Sequence, residues 1–171
     1  MAGREKDPKR QLQGRISKAK GKAFEQRLDD TFEYYRSRGA AKIEKTPEPM
    51  RPVKPIGNGK FVAFYEKKAQ ADYKGTLKGG RTIVFEAKYT SAEKMEQSRV
   101  SQDQADYMDE HAALGARCYV VAGFDSGEVY CIPWQVWSDM KALFGRKYVK
   151  ETDIQKYRVK PAWNGTLLLL G

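Results

Sequence analysis

Apolar residues recur at helical spacing in two long segments of the chain. Between Gly21 and Gly39 they follow one helical face, and Gly39 is a plausible stop, so this segment is predicted to form a first helix. A second amphipathic helix is predicted from Gln97 to Gly115. The first face consists of Phe24, Leu28, Phe32 and Tyr35, and the second of Val100, Gln104, Tyr107, Met108, His111 and Leu114.

The second half of the chain adds short β-rich runs and one more helix. "CYVVAGF" and "EVYCI", separated by "DSG", have the β-branched content and the turn residues of a hairpin. Pro133 is suited to open a third helix that carries Trp134, Trp137 and Leu143. The run "TLLLL" near the end is a candidate buried strand.

Alternating residues predict a strand from Thr82 to Lys88. The side predicted to pack on the core carries Ile83, Phe85 and Ala87. Glu86 and Lys88 then project together from the opposite side.

The segment from Asp72 to Leu77 is predicted to fold back as the antiparallel partner of that strand. Lys78, Gly79 and Gly80 would form a three-residue loop, with glycine available for a left-handed conformation. Positions symmetric about Gly79 are then opposed, which pairs Asp72 with Glu86. A register shift of one residue would separate them.

Four prolines and the sequence "GNG" distinguish the segment from Thr46 to Lys60, and Lys60 to Tyr65 follows as a strand. This composition excludes a central strand and favours extended edge segments joined by a turn. We expect a basic, hairpin-like insertion over residues 46–67, although composition alone is equally compatible with a solvated linker. Its basic residues are Arg51, Lys54, Lys60, Lys67 and Lys68.

The first 20 residues are rich in Lys and Arg, including Arg15 and Lys18, and have almost no large apolar residue. We expect a disordered basic arm over residues 1–20, because such a segment cannot bury enough surface to order itself. The remaining residues, 21–171, are expected to form a single domain.

The net charge and the residue usage limit the classes of partner, the cellular location and the kinds of metal site that are expected. The 32 Lys and Arg against 22 Asp and Glu give a formal charge of +10, which favours polyanionic partners such as nucleic acid or an anionic membrane surface. No apolar run approaches the roughly 20 residues of a membrane span, and no secretory signal is recognisable, so a cytoplasmic location is expected. Cys118 and Cys131 are expected to be reduced core residues, and the single histidine excludes most zinc hydrolases.

The opposed acids suggest a metal site. Directly opposed residues have Cβ atoms roughly 4.5–5.5 Å apart, a separation that a divalent cation can bridge. Without a cation, Asp72 and Glu86 would repel each other and one pKa would rise. Lys88 could stabilise charge on a phosphate oxygen, so phosphodiester hydrolysis is the implied chemistry. The alternative is an ordinary exposed strand face with salt-bridged side chains.

Longer motifs support the hydrolytic interpretation. "GKAFEQRL", "KTPEP", "DYKG", "FEAKYT" and the later glutamine resemble, in that order, the RecU-type Holliday junction resolvases of Gram-positive bacteria and their phages. The similarity covers roughly residues 21–137. It implies a restriction-endonuclease-like α/β fold, with a mixed β-sheet flanked by helices and a protruding stalk at residues 46–67 that enters the junction. Beyond Phe144 no motif of the family is recognised, and Asp103 replaces a histidine that is frequent in the family.

The resemblance also implies roles for individual residues. Asp72 and Glu86 match the metal-binding acids, with the Ala87 backbone carbonyl as a third candidate ligand, and Lys88 matches the catalytic lysine. Glu25, Gln104 and Thr90 match other residues of the active centre. Mg²⁺ is the expected metal, with Mn²⁺ as a substitute. Lys45 is an expected DNA contact, as are Arg15, Lys18, Arg51, Lys54, Lys60, Lys67 and Lys68.

Three functions remain open from the sequence. The leading one is a homodimeric, metal-dependent endonuclease that resolves four-way DNA junctions in recombination. The second keeps this fold but acts on flaps or duplex ends. The third is a DNA-binding or strand-annealing protein without catalysis, for which the basic charge suffices.

Overall fold

A computed structural model describes residues 8–47, 49–65 and 70–170. Four α-helices and nine β-strands lie in these ranges. In chain order they are α1 (Pro8–Ser37), β1 (Ala41–Lys45), β2 (Met50–Gly57), β3 (Lys60–Tyr65), β4 (Tyr73–Leu77), β5 (Thr82–Thr90), β6 (Lys94–Glu96), α2 (Gln102–Ala113), β7 (Arg117–Phe124), β8 (Val129–Pro133), α3 (Trp134–Ser138), α4 (Met140–Phe144) and β9 (Tyr148–Lys150).

The main sheet has five strands in the order β1-β4-β5-β7-β8. β5 and β7 run parallel, whereas the other neighbours are antiparallel. α1 covers one face, and α2, α3 and α4 pack against the opposite one. The predicted mixed sheet flanked by helices is therefore confirmed.

Both faces of β5 are buried. Ile83 and Phe85 pack in the cluster under α1, whereas Val84 packs with Met108 and Trp137 in the cluster under the other helices. The prediction that the core takes only Ile83, Phe85 and Ala87 is wrong in this respect. A central strand with a parallel neighbour is covered on both sides, so simple alternation does not mark an exposed face.

The first helix is longer than predicted. Its apolar stripe is buried as expected, but the helix begins at Pro8, so residues 8–20 of the predicted disordered arm are helical. Residues 11–20 are all exposed. The packed carboxy-terminal half of α1 supplies the helix nucleus that an isolated segment would lack. The helix-favouring residues before it can then extend the helix toward the amino terminus. Residues 1–7 of the predicted arm lie outside the described part.

The second helix is shorter than predicted. It starts at Gln102, after a 3-10 turn over Gln97–Arg99, and ends at Ala113. Leu114, predicted on its buried face, is 87% exposed at the C-cap. Ser101 stops the helix from extending further back, because its side chain caps the Gln104 N–H.

The proline-rich segment forms a two-stranded hairpin, β2 with β3, that is separate from the main sheet. Asn58 and Gly59 form its turn with φ of 51° and 72°, typical of a type I′ hairpin. β2 is exposed along its whole length. We call residues 50–65 the stalk.

The carboxy-terminal third departs from prediction in two places. The predicted third helix is broken at Asp139 into α3 and α4. Met140 is buried, whereas Leu143, which was predicted in this helix, is exposed. "TLLLL" forms only an isolated bridge between Pro161 and Leu167. Leu167 is nevertheless buried against α1, where Tyr35 donates its hydroxyl to the Leu167 carbonyl at 2.7 Å.

Candidate nuclease site

The β4–β5 hairpin has the predicted register. Tyr73 lies opposite Phe85 and Thr76 opposite Thr82, while the Leu77 N–H donates to the Arg81 carbonyl at 2.8 Å. The loop is therefore Lys78, Gly79 and Gly80, and both glycines have positive φ. A left-handed conformation at these two positions suits glycine because it has no Cβ.

This register brings Asp72 and Glu86 together. The Asp72 N–H donates to Glu86 Oε2 at 3.2 Å, and the Ala87 N–H donates to Asp72 Oδ2 at 2.9 Å. The Asp72 N–H thus orients the Glu86 carboxylate, and the N–H of the residue after Glu86 orients the Asp72 carboxylate. Asp72 lies just before β4, where its side chain remains partly exposed.

Glu86 is the electrostatic centre of this arrangement. Its side chain is 0% exposed. Burial, followed by the nearby Asp72 charge, raises the pKa of Glu86 to about 7, although Lys88 acts in the opposite direction. A buried carboxylate beside another acid is a site that a cation would stabilise.

Lys88 and Gln104 converge on the same carboxylate oxygen. Lys88 Nζ lies 2.5 Å from Glu86 Oε1, and Gln104 Nε2 donates to that oxygen at 2.6 Å. Gln104 Oε1 accepts the Ser101 N–H at 3.1 Å and lies 3.5 Å from Lys88 Nζ. Gln104 therefore bonds both the site and a backbone group, and it connects the start of α2 to β5.

An open pocket of about 490 Å³ lies over Asp72, Ala87 and Lys88. The amino-terminal half of α1 forms one wall, and Tyr89 and Arg99 also line the pocket. From α1 the lining residues are Gly14, Ser17, Lys18, Gly21, Phe24 and Glu25.

The remaining candidates of the active centre, Glu25 and Thr90, form no hydrogen bond to Asp72 or Glu86 among the contacts of the described residues. Glu25 lines the pocket and forms an ion pair with Lys45 at 2.5 Å. Thr90 is buried, and its hydroxyl accepts the Ala92 N–H at 3.1 Å, which shapes the chain where β5 ends. A structural role thus accounts for the observed contact of Thr90.

The predicted DNA contacts are distributed over two surfaces. Lys18 lines the pocket, whereas Arg15 is exposed on the same helix. Three further candidates are exposed on the stalk: Arg51, Lys54 and Lys60. Lys67 and Lys68 lie outside the described residues.

The donor chemistry fits a hard divalent cation. Asp72 and Glu86 offer adjacent carboxylate oxygens, and Mg²⁺ is commonly held by one or two carboxylates together with water and phosphate oxygens. Among residues 8–47, 49–65 and 70–170, no three His, Cys, Asp or Glu side chains are grouped to hold a metal. The two acids would thus be the side-chain ligands, and the Ala87 carbonyl as a third ligand stays a prediction.

Sequence reasoning missed several residues around this pocket. Arg99 and Asp125 gave no signal, because only the tertiary structure brings them near β5. The Ser101 cap was recognisable, since "SQDQ" has the serine and the glutamine of a capping box.

Comparison with known proteins gives a consistent family. The sequence model for "RecU: Recombination protein U" matches residues 19–168. A protein of Streptococcus gordonii named Holliday junction resolvase RecU is 34% identical over 121 residues, covering 67% of this chain and 60% of that protein. One of the same name from a Geobacillus species is 28% identical over 149 residues, covering 81% and 73%.

The similarities are limited in extent. The chain spans about 60% of the length of the Streptococcus gordonii protein and of a protein of the same name from Streptococcus sanguinis. Among solved structures, Hjc of Archaeoglobus fulgidus, described as a Holliday junction resolvase, has a TM-score of 0.46 and 15% identity, covering 80% of this chain and 88% of that one.

Within the described ranges, no helix has both the length and the apolar character of a membrane span.

Proposed function

The chain belongs to the RecU family of recombination proteins, and from this membership we propose that it is a divalent-metal-dependent endodeoxyribonuclease that resolves four-way (Holliday) junctions. The observation that carries the proposal is the cluster of Asp72, Glu86, Lys88 and Gln104, which is centred on the middle of the central strand β5. The names of the relatives support the substrate, and the opposed acids support the chemistry.

The residues divide the chemical work between them. A divalent cation on Asp72 and Glu86, Mg²⁺ with Mn²⁺ as a substitute, would polarise a phosphoryl oxygen and make water a better nucleophile at neutral pH. Lys88 would stabilise negative charge on the phosphate during cleavage. Gln104 keeps Glu86 and Lys88 in their positions. The Ala87 N–H orients Asp72.

Substrate choice is assigned to shape and charge. We expect the stalk to enter the open centre of the junction and its Arg and Lys residues to contact phosphates without base recognition. Two copies of the chain, related by two-fold symmetry, would place two sites for paired nicks in strands of the same polarity. Action in the cytoplasm of a bacterial or phage-infected cell follows from this substrate.

The test uses purified protein and labelled four-way junction, duplex, flap and single-stranded DNAs, each with Mg²⁺, Mn²⁺ or EDTA. We expect symmetric nicking of the junction in either metal and none in EDTA. Asp72→Ala should bind the junction but not cleave it. Asp30→Ala, which removes an exposed acid on α1, is the control and should cleave normally.

Other results would contradict particular parts of the proposal. Preferred cleavage of flaps or duplex ends would keep the chemistry and reject the substrate. Junction binding without cleavage in either metal would favour the non-catalytic DNA-binding class. Full cleavage by Asp72→Ala would reject the assigned site.

A further inference from the structure

Two cations that line the pocket form no ion pair with an acid among the residues that the structure describes. Lys18 on α1 and Arg99 in the 3-10 turn before α2 both line the pocket above Asp72 and Lys88. Within the described residues, neither forms a salt bridge, whereas Lys88 pairs with Glu86. Positive groups that line a cavity without an acid to neutralise them favour an anionic ligand.

Arg99 is held in place by the backbone of the catalytic strand. Its Nη2 donates to the Tyr89 carbonyl at 2.8 Å, immediately after Lys88 in the sequence. This single bond leaves the rest of the planar donor fork for another acceptor. Arg99 is exposed, so a ligand in the pocket can reach it.

Tyr89 also anchors the helical wall. Its hydroxyl donates to Asp125 Oδ1 at 2.7 Å, and the same oxygen accepts Lys20 Nζ of α1 at 2.5 Å. Phe24 of α1 packs on the Tyr89 ring, with centroids 6.0 Å apart. Tyr89 therefore contacts both the α1 wall and Arg99, and it connects these two sides of the pocket.

The helical wall leaves room for that ligand. Gly14 and Gly21 line the pocket, and a Cβ added at either one would meet no atom within 4 Å. The glycines are therefore not required for packing within the chain. The space next to them is open to a bulky, extended group.

We propose that Arg99 is a positioning residue that binds a backbone phosphate of the DNA next to the phosphate that meets Asp72 and Lys88. Lys18 faces the same strand from the α1 wall. The ligand class is a phosphodiester backbone, since a guanidinium fork matches phosphate oxygens and the pocket continues from the acids to Arg99. The inference rests on the proposed nuclease function and adds how the scissile strand is held.

The test compares Arg99→Gln, Arg99→Lys and Arg81→Gln. Arg81 is the matched control, because it is exposed, its Nε donates to one backbone carbonyl, that of Gly115 at 3.0 Å, and it precedes the opposite end of β5. Junction affinity is measured in EDTA by fluorescence anisotropy at several salt concentrations. Cleavage is then measured in single turnover at saturating enzyme with Mg²⁺, and thermal melts verify folding.

We expect Arg99→Gln to reduce the slope of log affinity against log salt by about one, the contribution of one phosphate contact. Its single-turnover rate should fall about tenfold or more, as for the loss of a charge-assisted hydrogen bond. Arg99→Lys should recover most of the slope but only part of the rate, since an ammonium lacks the fork. Arg81→Gln should match the wild type in both.

An Arg99→Gln variant that matches Arg81→Gln in salt slope and rate would overturn the inference. If the wild type binds the junction but cleaves no DNA, the nuclease proposal fails. The salt slopes of Arg99→Gln and Arg81→Gln then still show whether Arg99 contacts a phosphate. Absence of DNA binding by the folded wild type would reject both.

Discussion

Glu86 shows how much of the site depends on one side chain. It is fully buried, accepts bonds from Lys88, Gln104 and the Asp72 N–H, and has a pKa raised to about 7. Burial makes each of these bonds matter more than it would in water. Gln104 has a double role, because it also completes the cap of α2.

Replacing Gln104 should separate these two roles. Gln104→Ala removes a hydrogen bond to the charged Glu86, and we expect junction cleavage to fall by about tenfold or more. Ser101→Ala removes the other half of the cap and should cost about 1 kcal/mol of stability while cleavage at 25 °C is retained. Single-turnover rates and urea unfolding of both variants measure the effects. Equal rates for the two variants would show that Gln104 serves only the helix.

The pKa of Glu86 predicts a pH dependence of stability in EDTA. The folded value of about 7 lies above the ordinary value of 4.5, so between these pH values the folded state binds a proton that the unfolded state has lost. The contribution of Glu86 to the free energy of unfolding is therefore fully present below about pH 4.5 and is lost as the pH rises through about 7. The Tm of Glu86→Gln relative to wild type should therefore be higher at pH 8 than at pH 5. An identical Tm difference at both pH values would contradict the raised pKa.

At the scale of elements, the β4–β5 hairpin positions the acids and β1 supports it. β1 pairs with β4 along its length, with Ile43 opposite Gly75. A Cβ added at Gly75 would collide with the backbone of Lys42 and Ile43. The close approach of β1 therefore requires glycine at this position.

Gly75→Ala should force β1 away from β4. We expect a loss of about 2 kcal/mol or more in the free energy of unfolding, because backbone cannot yield as a flexible side chain does. Thr76→Ala, an exposed change on the same strand, should cost less than about 1 kcal/mol. Urea denaturation of the two variants provides the comparison. A Gly75→Ala protein as stable as Thr76→Ala would show that β1 is free to shift.

For the whole molecule, the position of the charge matters as much as its total of +10. The helical wall and the stalk carry exposed basic residues, while Asp72 and Glu86 lie together at the middle of β5. Such a distribution favours binding of a polyanion such as DNA to the basic surfaces, near the two acids. Both surfaces are therefore expected to contribute to the salt dependence of binding.

Two triple variants with equal charge should distinguish position from total. Changing Arg51, Lys54 and Lys60 to Gln lowers the formal charge from +10 to +7, as does the same change at Lys78, Lys141 and Lys160, which are exposed elsewhere. The stalk variant should lose more junction affinity and more salt slope, because among the six residues changed only those of the stalk are expected to contact phosphates. Anisotropy titrations with a four-way junction measure both. Equal losses would indicate that net charge alone drives binding.

The sequence by itself determined the features that depend on short-range pattern. The β4–β5 register followed from two strands and a glycine loop, so the proximity of Asp72 and Glu86 was predictable, as was the apolar stripe of α1. For the stalk, composition left a hairpin and a solvated linker open, and the structure shows the hairpin. In each case the spacing along the chain sets the geometry in space.

Only the tertiary structure decided which distant elements enclose the acids. Glu86 lies on a central strand and is contacted by Gln104 of α2, and its burial, followed by the Asp72 charge, raises its pKa, which no local alternation indicates. The helical extension of α1 forms a wall of the pocket, and Arg99 reaches the Tyr89 carbonyl across ten positions of the chain. These contacts depend on how packed elements are placed against one another, because burial and long-range hydrogen bonds arise only after the sheet and its helices have assembled.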